Sequence, residues 1–204
     1  FTGNADDESA NRDNNGTVIG ATLTTDRNSA ANSAYAFDGN DDRIDISHIG
    51  FPMGNSARTI AGWVNLDASA AGDDTILFYG QKSAGKGFVL RVDGPGDLEA
   101  NSWGDAAELD GNATVKDGNW HHVAFTHDGN GTARLYVDGA LSGTATGWSS
   151  LNTQPPLQSG TYTVVVSNQW NSTTSNGAVI ATTPAITTQP ISQSVLTGAN
   201  VSFS

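Results

Sequence analysis

Cysteine is absent from this chain of 204 residues, which excludes a disulfide framework, a thiol nucleophile and any cysteine-bound zinc. Basic residues are scarce: 9 Lys and Arg stand against 21 Asp and Glu, a formal net charge of -12. Proteins that bind nucleic acid usually present a basic stripe, so this balance argues for no nucleic acid partner and leaves divalent cations as the natural charged one. No apolar run is long enough to cross a bilayer, so no membrane insertion is expected. The chain opens at Phe1 without a Met, a charged segment or an apolar leader. Any signal peptide is expected to lie outside these residues, and both ends read as cut. One further absence is positional, because no Asp, Glu, Lys or Arg follows Asp138.

Gly, Thr, Ser, Asn and Asp fill the places that charged residues leave, the composition of an all-β chain with many turns. The clearest unit is the stretch Trp120 to Gly139, WHHVAFTHDGNGTARLYVDG. His121, Val123 and Phe125 alternate with Trp120, His122 and Ala124, and Ala133, Leu135 and Val137 alternate likewise. Residues 127–131 supply a turn in which Gly and Asn tolerate positive φ, so the stretch reads as a hairpin whose apolar face needs an opposing sheet. Further strands are expected at Ala34 to Phe37, Arg43 to Ile46, Thr59 to Leu66, Thr75 to Tyr79 and Gly87 to Val92, with almost no helix. Trp63 and Trp120, inside strands, are expected in the core. His121 and His122 are neighbours in a strand and point to opposite faces, so they cannot share a metal ion.

Four motifs stand in order: YAFDGNDDRIDI at Tyr35 to Ile46, TIAGWVNL at Thr59 to Leu66, GFVLRVDG at Gly87 to Gly94, and WHHVAFTHDG followed by LYVDG. In that order and spacing they resemble the laminin-G-like (concanavalin A-like lectin/glucanase) jelly-roll family, from Phe1 to about Asn152. The resemblance implies a jelly-roll β-sandwich for residues 1–153, with its closing strands expected to be missing because Pro155-Pro156 arrive too soon. The uncharged remainder resembles bacterial immunoglobulin-like repeats. SGTYTVVVSN at Ser159 to Asn168 is similar to a tyrosine-corner strand, with Gly160 and Tyr162 at the expected spacing. Residues 154–183 then read as the end of one such domain and 184–204 as the start of the next, an incomplete immunoglobulin-like β tail. Strand-like runs in it fall at Thr161 to Ser167, Ala178 to Thr182 and Val201 to Ser204.

Two acidic stretches are candidate calcium loops. In Gly3 to Gly16 oxygen-bearing side chains alternate at Asp7, Ser9, Asn11, Asp13 and Asn15, and calcium takes six to eight oxygens in flexible geometry. Asn11, Asp13, Asn15 and Gly16 match the first half of an EF-hand-like pattern, but Thr22 stands where a bidentate Glu belongs. Asp38, in the cluster Asp38 to Asp42, is a further candidate ligand. The same residues also suit simple turns. Related jelly-roll domains often hold one structural calcium, so the resemblance implies a structural calcium ion here.

The family's enzymes carry an ExDxE strand, and retaining glycoside hydrolysis needs two carboxyls about 5–5.5 Å apart. The glutamates here are Glu8, Glu99 and Glu108, and none stands in that pattern. Neither a Ser-His-Asp nor a Cys-His constellation is present, so the chain is expected not to be an enzyme. Aromatic residues beside amides are the remaining clue, since sugar C–H faces stack on rings while amides and carboxylates bond the hydroxyls. Trp103, within Ala-Asn-Ser-Trp-Gly-Asp, and Tyr79 with Gln81 are such settings, with capping of the sandwich edge as the alternative for Trp103. The sequence therefore predicts a non-catalytic module of a secreted or cell-surface bacterial protein that binds a glycan or a matrix polysaccharide. A structural spacer in an adhesin and a glycoside hydrolase fragment are the alternatives.

Overall fold

The computed structural model describes residues 1–10, 14–104 and 107–156, and strand backbones at 160–162, 165–167, 172–174 and 178–180. Contacts divide the chain into two units, Phe1–Pro156 and Leu157–Ser204. The first unit holds β1 (Thr17–Ile19), β2 (Thr22–Thr24), β3 (Ala34–Ala36), β4 (Arg43–Asp45), β5 (Arg58–Asn65), β6 (Asp74–Gly80), β7 (Gly87–Val92), β8 (Asp97–Ser102), β9 (Glu108–Thr114), β10 (Trp120–His127), β11 (Thr132–Val137) and β12 (Ala140–Thr146). Its two four-stranded antiparallel sheets run β12-β11-β10-β5 and β6-β7-β8-β9, while β1 pairs with β4 and β2 with β3 as separate ribbons. The fold is all-β, a jelly-roll β-sandwich. Among the described residues the helical element is a short 3-10 turn at Trp148–Ser150.

The expected hairpin is β10 and β11, in the register Val123↔Val137 and Phe125↔Leu135. Its turn is organised by Asp128, whose carboxylate accepts the N–H groups of Asn130 and Thr132. Val123, Phe125, Ala133 and Leu135 face Phe88, Leu90, Val92, Leu98 and Ala100 of the other sheet in one buried cluster. Phe88 and Phe125 meet with ring centroids 4.8 Å apart, and Trp148 lies 5.3 Å from Phe125 at one end. Burying each such ring contributes about 1.5–3 kcal/mol. The sheets close on each other where β9 meets β12: a Cβ on Gly143 would lie 2.5 Å from the Asp110 carbonyl, and one on Gly111 2.6 Å from Ser142 Oγ. Only glycine permits that approach.

Arg58 begins β5 and is 5% exposed. Its guanidinium donates to Tyr79 Oη at 2.6 Å, Thr153 Oγ1 at 2.8 Å, the Gly54 carbonyl at 2.8 Å and the Ser56 carbonyl at 3.1 Å. Burial lowers its pKa and raises that of Tyr79. At the opposite end Lys116 Nζ fills an oxygen cage, 2.8 Å from Asp74 Oδ2, 2.8 Å from the Gly72 carbonyl and 3.3 Å from the Asp93 carbonyl.

Three features depart from the sequence reading. Trp63 is 46% exposed rather than buried, because Ile60 and Val64 take the core side of β5 and alternation turns Trp63 outward. There it stacks under Arg27, whose Cζ lies 4.4 Å from the ring centroid, and Trp120 shares that outer face. Strands β8, β9 and β12 were not expected, since DLEANS, ELDGNAT and ALSGTAT are poor in β-branched and aromatic residues. In the second unit β13 (Gly160–Tyr162) pairs with β16 (Ala178–Ile180), and β14 (Val165–Ser167) with β15 (Ser172–Thr174). The Tyr162 side chain and the expected repeat opening at 184–204 lie outside the described residues.

Replacing Arg58 with Met strands four acceptors at once. We expect Arg58→Met to lower stability by about 3 kcal/mol or more and Tyr79→Phe, which removes one partner, by about 1 kcal/mol. Urea unfolding checks both; equal effects would mean that Arg58 is not the common node.

Candidate functional site

Because strand neighbours point to opposite faces, the second sheet sorts its residues cleanly. Phe88, Leu90, Val92, Leu98, Ala100 and Leu109 enter the core. Arg91, Glu99, Asn101, Glu108 and Asp110 therefore point outward. Register sets them in rows across the sheet: Thr75, Arg91, Glu99 and Asp110 form one, and Phe78, Val89, Asn101 and Glu108 the next. A third row contains Gly80 and Gly87, with Trp103 N–H donating to the Gly87 carbonyl at 3.0 Å.

Two of these outward residues are nonetheless sheltered, with Glu99 and Asn101 each only 3% exposed. Arg91 grips Glu99 through two bonds, Nε to Oε2 at 2.9 Å and Nη2 to Oε1 at 2.8 Å. Asn101 Nδ2 donates to Glu99 Oε1 at 2.7 Å, and Arg91 Nη1 reaches Asp73 Oδ2 at 3.0 Å. A bidentate guanidinium–carboxylate pair is both strong and directional, so this row is held rigid. Glu99, Glu108 and Asp110 each bring one carboxylate oxygen within 4.8 Å of the others.

The aromatic part of the face is built on Gly87. A Cβ there would lie 2.8 Å from Phe78 Cε2 and 3.1 Å from Trp103 Cβ, so glycine lets the two side chains meet. Their ring centroids are 5.3 Å apart at 62°. Trp103 is 36% exposed, and Lys82 Nζ lies 5.7 Å from its ring and 5.8 Å from that of Phe78.

Of the residues singled out in the sequence, Trp103 lies on this face. Tyr79 does not: it is 7% exposed, packs against Phe51 and Phe88, and spends its hydroxyl on Arg58 and the Pro52 carbonyl. Its strand neighbour Phe78 has the outward place. Gln81 Nε2 donates to the Pro155 carbonyl at 2.9 Å. Asp7 accepts the N–H groups of Ser9 and Asn14, while Asn15 Oδ1 accepts that of Asp7 at 2.8 Å, so these two residues order their own loop. Asn11 and Asp13 lie outside the described residues. Asp38 accepts the backbone and side-chain N–H groups of Asn40, and brings an oxygen within 4.8 Å of Asp41 and Asp42. Phe78, Arg91, Glu99, Asn101, Glu108 and Asp110 were not singled out by sequence as one site. The signal present was the alternation of Glu99 and Asn101 with Leu98 and Ala100, and of Glu108 and Asp110 with Leu109.

The sequence matches the concanavalin A-like lectin/glucanases superfamily over residues 38–190, a span that reaches beyond the first unit. Among solved structures the chain is similar to the binding domain of Paraclostridial Mosquitocidal Protein 1, with 16% identity and a TM-score of 0.55 over 72% of this chain and 38% of that one. It is also similar to a protein from Bacteroides ovatus ATCC 8483 provisionally described as carbohydrate binding, with 19% identity and a TM-score of 0.41 over 52% of this chain and 30% of that one. The chain thus spans well under half the length of either, and the first likeness is one of fold. Among curated proteins none matches it.

A titrating group flanked by two carboxylates lies elsewhere, at the start of β10. His121 is set between two carboxylates, Nδ1 at 2.8 Å from Asp138 Oδ2 and Nε2 at 3.1 Å from Asp117 Oδ1. The Asp138 bond first, then that of Asp117, raises its pKa above 6.5. Asp117 is pushed down to about 2, chiefly by Asn119, and Asp138 is lowered by His121. A raised histidine stabilises the fold fully below its unfolded pKa of 6.5 and loses that contribution as pH rises through the raised value. The lowered aspartates contribute above 3.8 and lose it as pH falls towards their folded pKa. His127, lowered by burial, runs opposite to His121, and its contribution is complete above 6.5. We therefore expect the melting temperature to fall as pH rises above 6.5 through the raised pKa of His121, and His121→Asn to flatten that limb. An unchanged slope in the variant would assign the fall to another group.

Proposed function

The chain belongs to the concanavalin A-like lectin/glucanases superfamily, and from that premise we propose that it is a non-catalytic carbohydrate-binding module whose glycan lies on the outer face of the β6-β7-β8-β9 sheet. The observation that carries this reading is the Phe78–Trp103 ring pair, 5.3 Å between centroids, in register with the Glu99–Asn101–Arg91 network. Rings offer a surface to sugar C–H faces, and an amide, carboxylates and a guanidinium held in place offer directional bonds to hydroxyls. Preorganisation matters because ordering side chains on binding subtracts from affinity. We place the module in a secreted or cell-surface bacterial multidomain protein, where it serves attachment to a cell-surface or matrix polysaccharide.

One observation favours a second reading as a glycoside hydrolase. The carboxylate oxygens of Glu99, Glu108 and Asp110 lie within 4.8 Å, close to the spacing that retaining hydrolysis uses. Against it, both Glu99 oxygens are occupied by Arg91 and one also by Asn101, which suits a structural carboxylate better than a proton donor. Glycan-array binding separates the readings. Trp103→Ala and Phe78→Ala should each weaken binding at least about tenfold, or 1.4 kcal/mol, while Tyr79→Phe leaves it unchanged. Release of reducing ends that disappears in Glu108→Gln and Asp110→Asn would replace the binding reading with the enzymatic one.

For calcium, the oxygen-only donors Asp38, Asp41 and Asp42 converge within 4.8 Å and fit a hard cation, although Asp38, like Asp7, also accepts N–H groups within its own turn. We propose that Asp38, Asp41 and Asp42 would hold the ion, with Asp7 and Asn15 ordering the adjoining loop. At calcium 100-fold above its dissociation constant, binding adds about 2.7 kcal/mol. The melting temperature should then rise with calcium over chelator, and in Asp38→Asn it should not. Identical melting of the wild type with calcium and with chelator rejects the site.

A further inference from the structure

We infer that Lys82 makes the ring platform selective for acidic sugars, a step that rests on the glycan-binding reading of this face. Four of the cations among the described residues are committed elsewhere. Arg43 pairs with Asp45, Arg91 with Glu99 and Asp73, Lys116 with Asp74, and Arg58 with the acceptors around Tyr79. Lys82 is exposed and has no ion pair or hydrogen bond among the described residues. Its ammonium instead rests 5.8 Å from the Phe78 ring and 5.7 Å from the Trp103 ring. A cation held by ring faces keeps its donors available while its position is restrained.

The backbone restrains it further. Gln81 N–H donates to the Lys86 carbonyl at 3.1 Å, Lys86 N–H to that of Ser83 at 2.9 Å, and Gly85 N–H to that of Trp103 at 2.8 Å, so the loop carrying Lys82 is tied to the Trp103 backbone. A pyranose stacked on Trp103 presents its ring substituents at the platform rim, where the ammonium sits. A neutral hydroxyl there gains one ordinary hydrogen bond, whereas a carboxylate gains a charge-assisted bond roughly twice as strong. The preference must be local. A net charge of -12, with Glu108 and Asp110 on the same face, repels polyanions at longer range. A contact at one ammonium therefore selects a carboxylate at one position of the chain and does not attract polyanions in general.

The test uses oligosaccharides of galacturonate, alginate and hyaluronan, each beside its carboxyl-reduced counterpart and a panel of neutral glycans, titrated against the full chain. Wild type should bind at least one acidic oligosaccharide about three- to tenfold more tightly than its reduced counterpart. Lys82→Met keeps an apolar stem over the rings and removes the charge, so the two forms should then bind alike, with neutral glycans weakened by no more than the loss of one ordinary hydrogen bond. Equal binding of acid and reduced forms by wild type, or a preference that survives Lys82→Met, overturns the selectivity while leaving the platform intact. Binding that ignores Trp103→Ala, or no binding to any glycan, overturns the face itself and the selectivity with it.

Discussion

Arg58 enters the sandwich at the first residue of β5 and turns its guanidinium inward, where water cannot solvate it. A charge in that position persists only if its donors are met by acceptors. Four acceptors take four of its five N–H groups: the Tyr79 hydroxyl from the second sheet, the Gly54 and Ser56 carbonyls of the loop before β5, and the Thr153 hydroxyl near the end of the first unit. Satisfying one cation thus fixes the spacing of the two sheets and the position of residues 52–56. Gly54 and Thr153 also exchange backbone hydrogen bonds at 2.7 and 3.2 Å, which closes the chain over the same group. Tyr79 is drawn inward by this demand, and its neighbour Phe78 is turned outward in consequence.

The candidate binding face follows from that choice. Once Tyr79 and Phe88 point into the core, register places Phe78 beside Val89, Asn101 and Glu108 on the other side of the sheet. Gly87 removes the one side chain that would separate Phe78 from Trp103. The polar row beyond is organised on the same principle as the core, by satisfying a buried charge. Glu99 has little access to water, and Arg91 and Asn101 replace the bonds water would have made. Arg58, Arg91 and Lys116 act as braces, drawn into internal bonds, while the Lys82 ammonium stays at the surface against the two rings.

Strands in which β-branched and aromatic residues alternate with polar ones were legible. GFVLRV is β7 at the residues expected, and the WHHVAFT and TARLYV runs are β10 and β11. Strands β8 and β9 were not, because Asp, Glu, Asn and Gly disfavour isolated strands and are here stabilised by pairing, β8 between β7 and β9 and β9 against β8. Those unread strands carry Glu99, Asn101, Glu108 and Asp110, most of the polar part of the candidate site. A polar face that suits a ligand is by composition a poor strand signal, so the site and the gap in the reading coincide. Trp103 was singled out for its amide-rich surroundings and lies on the candidate face. Tyr79 was singled out as an aromatic beside Gln81, and the fold spends its hydroxyl internally.

By itself the sequence determined the all-β class, the hairpin at Trp120 to Gly139, the absence of thiol chemistry and the acidic balance, since each depends on composition or on contacts between near neighbours. It also determined that the strand residues alternate between two faces. Only the tertiary structure decided which face is inside, because a strand of mixed residues takes its orientation from the sheet packed against it. That is why Trp63 lies on the surface and Tyr79 in the core. The tertiary structure likewise decided that Glu99 and Asp110, eleven positions apart in sequence, sit opposite each other, and that Lys82 reaches the rings of Phe78 and Trp103. Such pairings come from strand register, which is set by the packing of the whole sandwich and leaves no local mark on the chain.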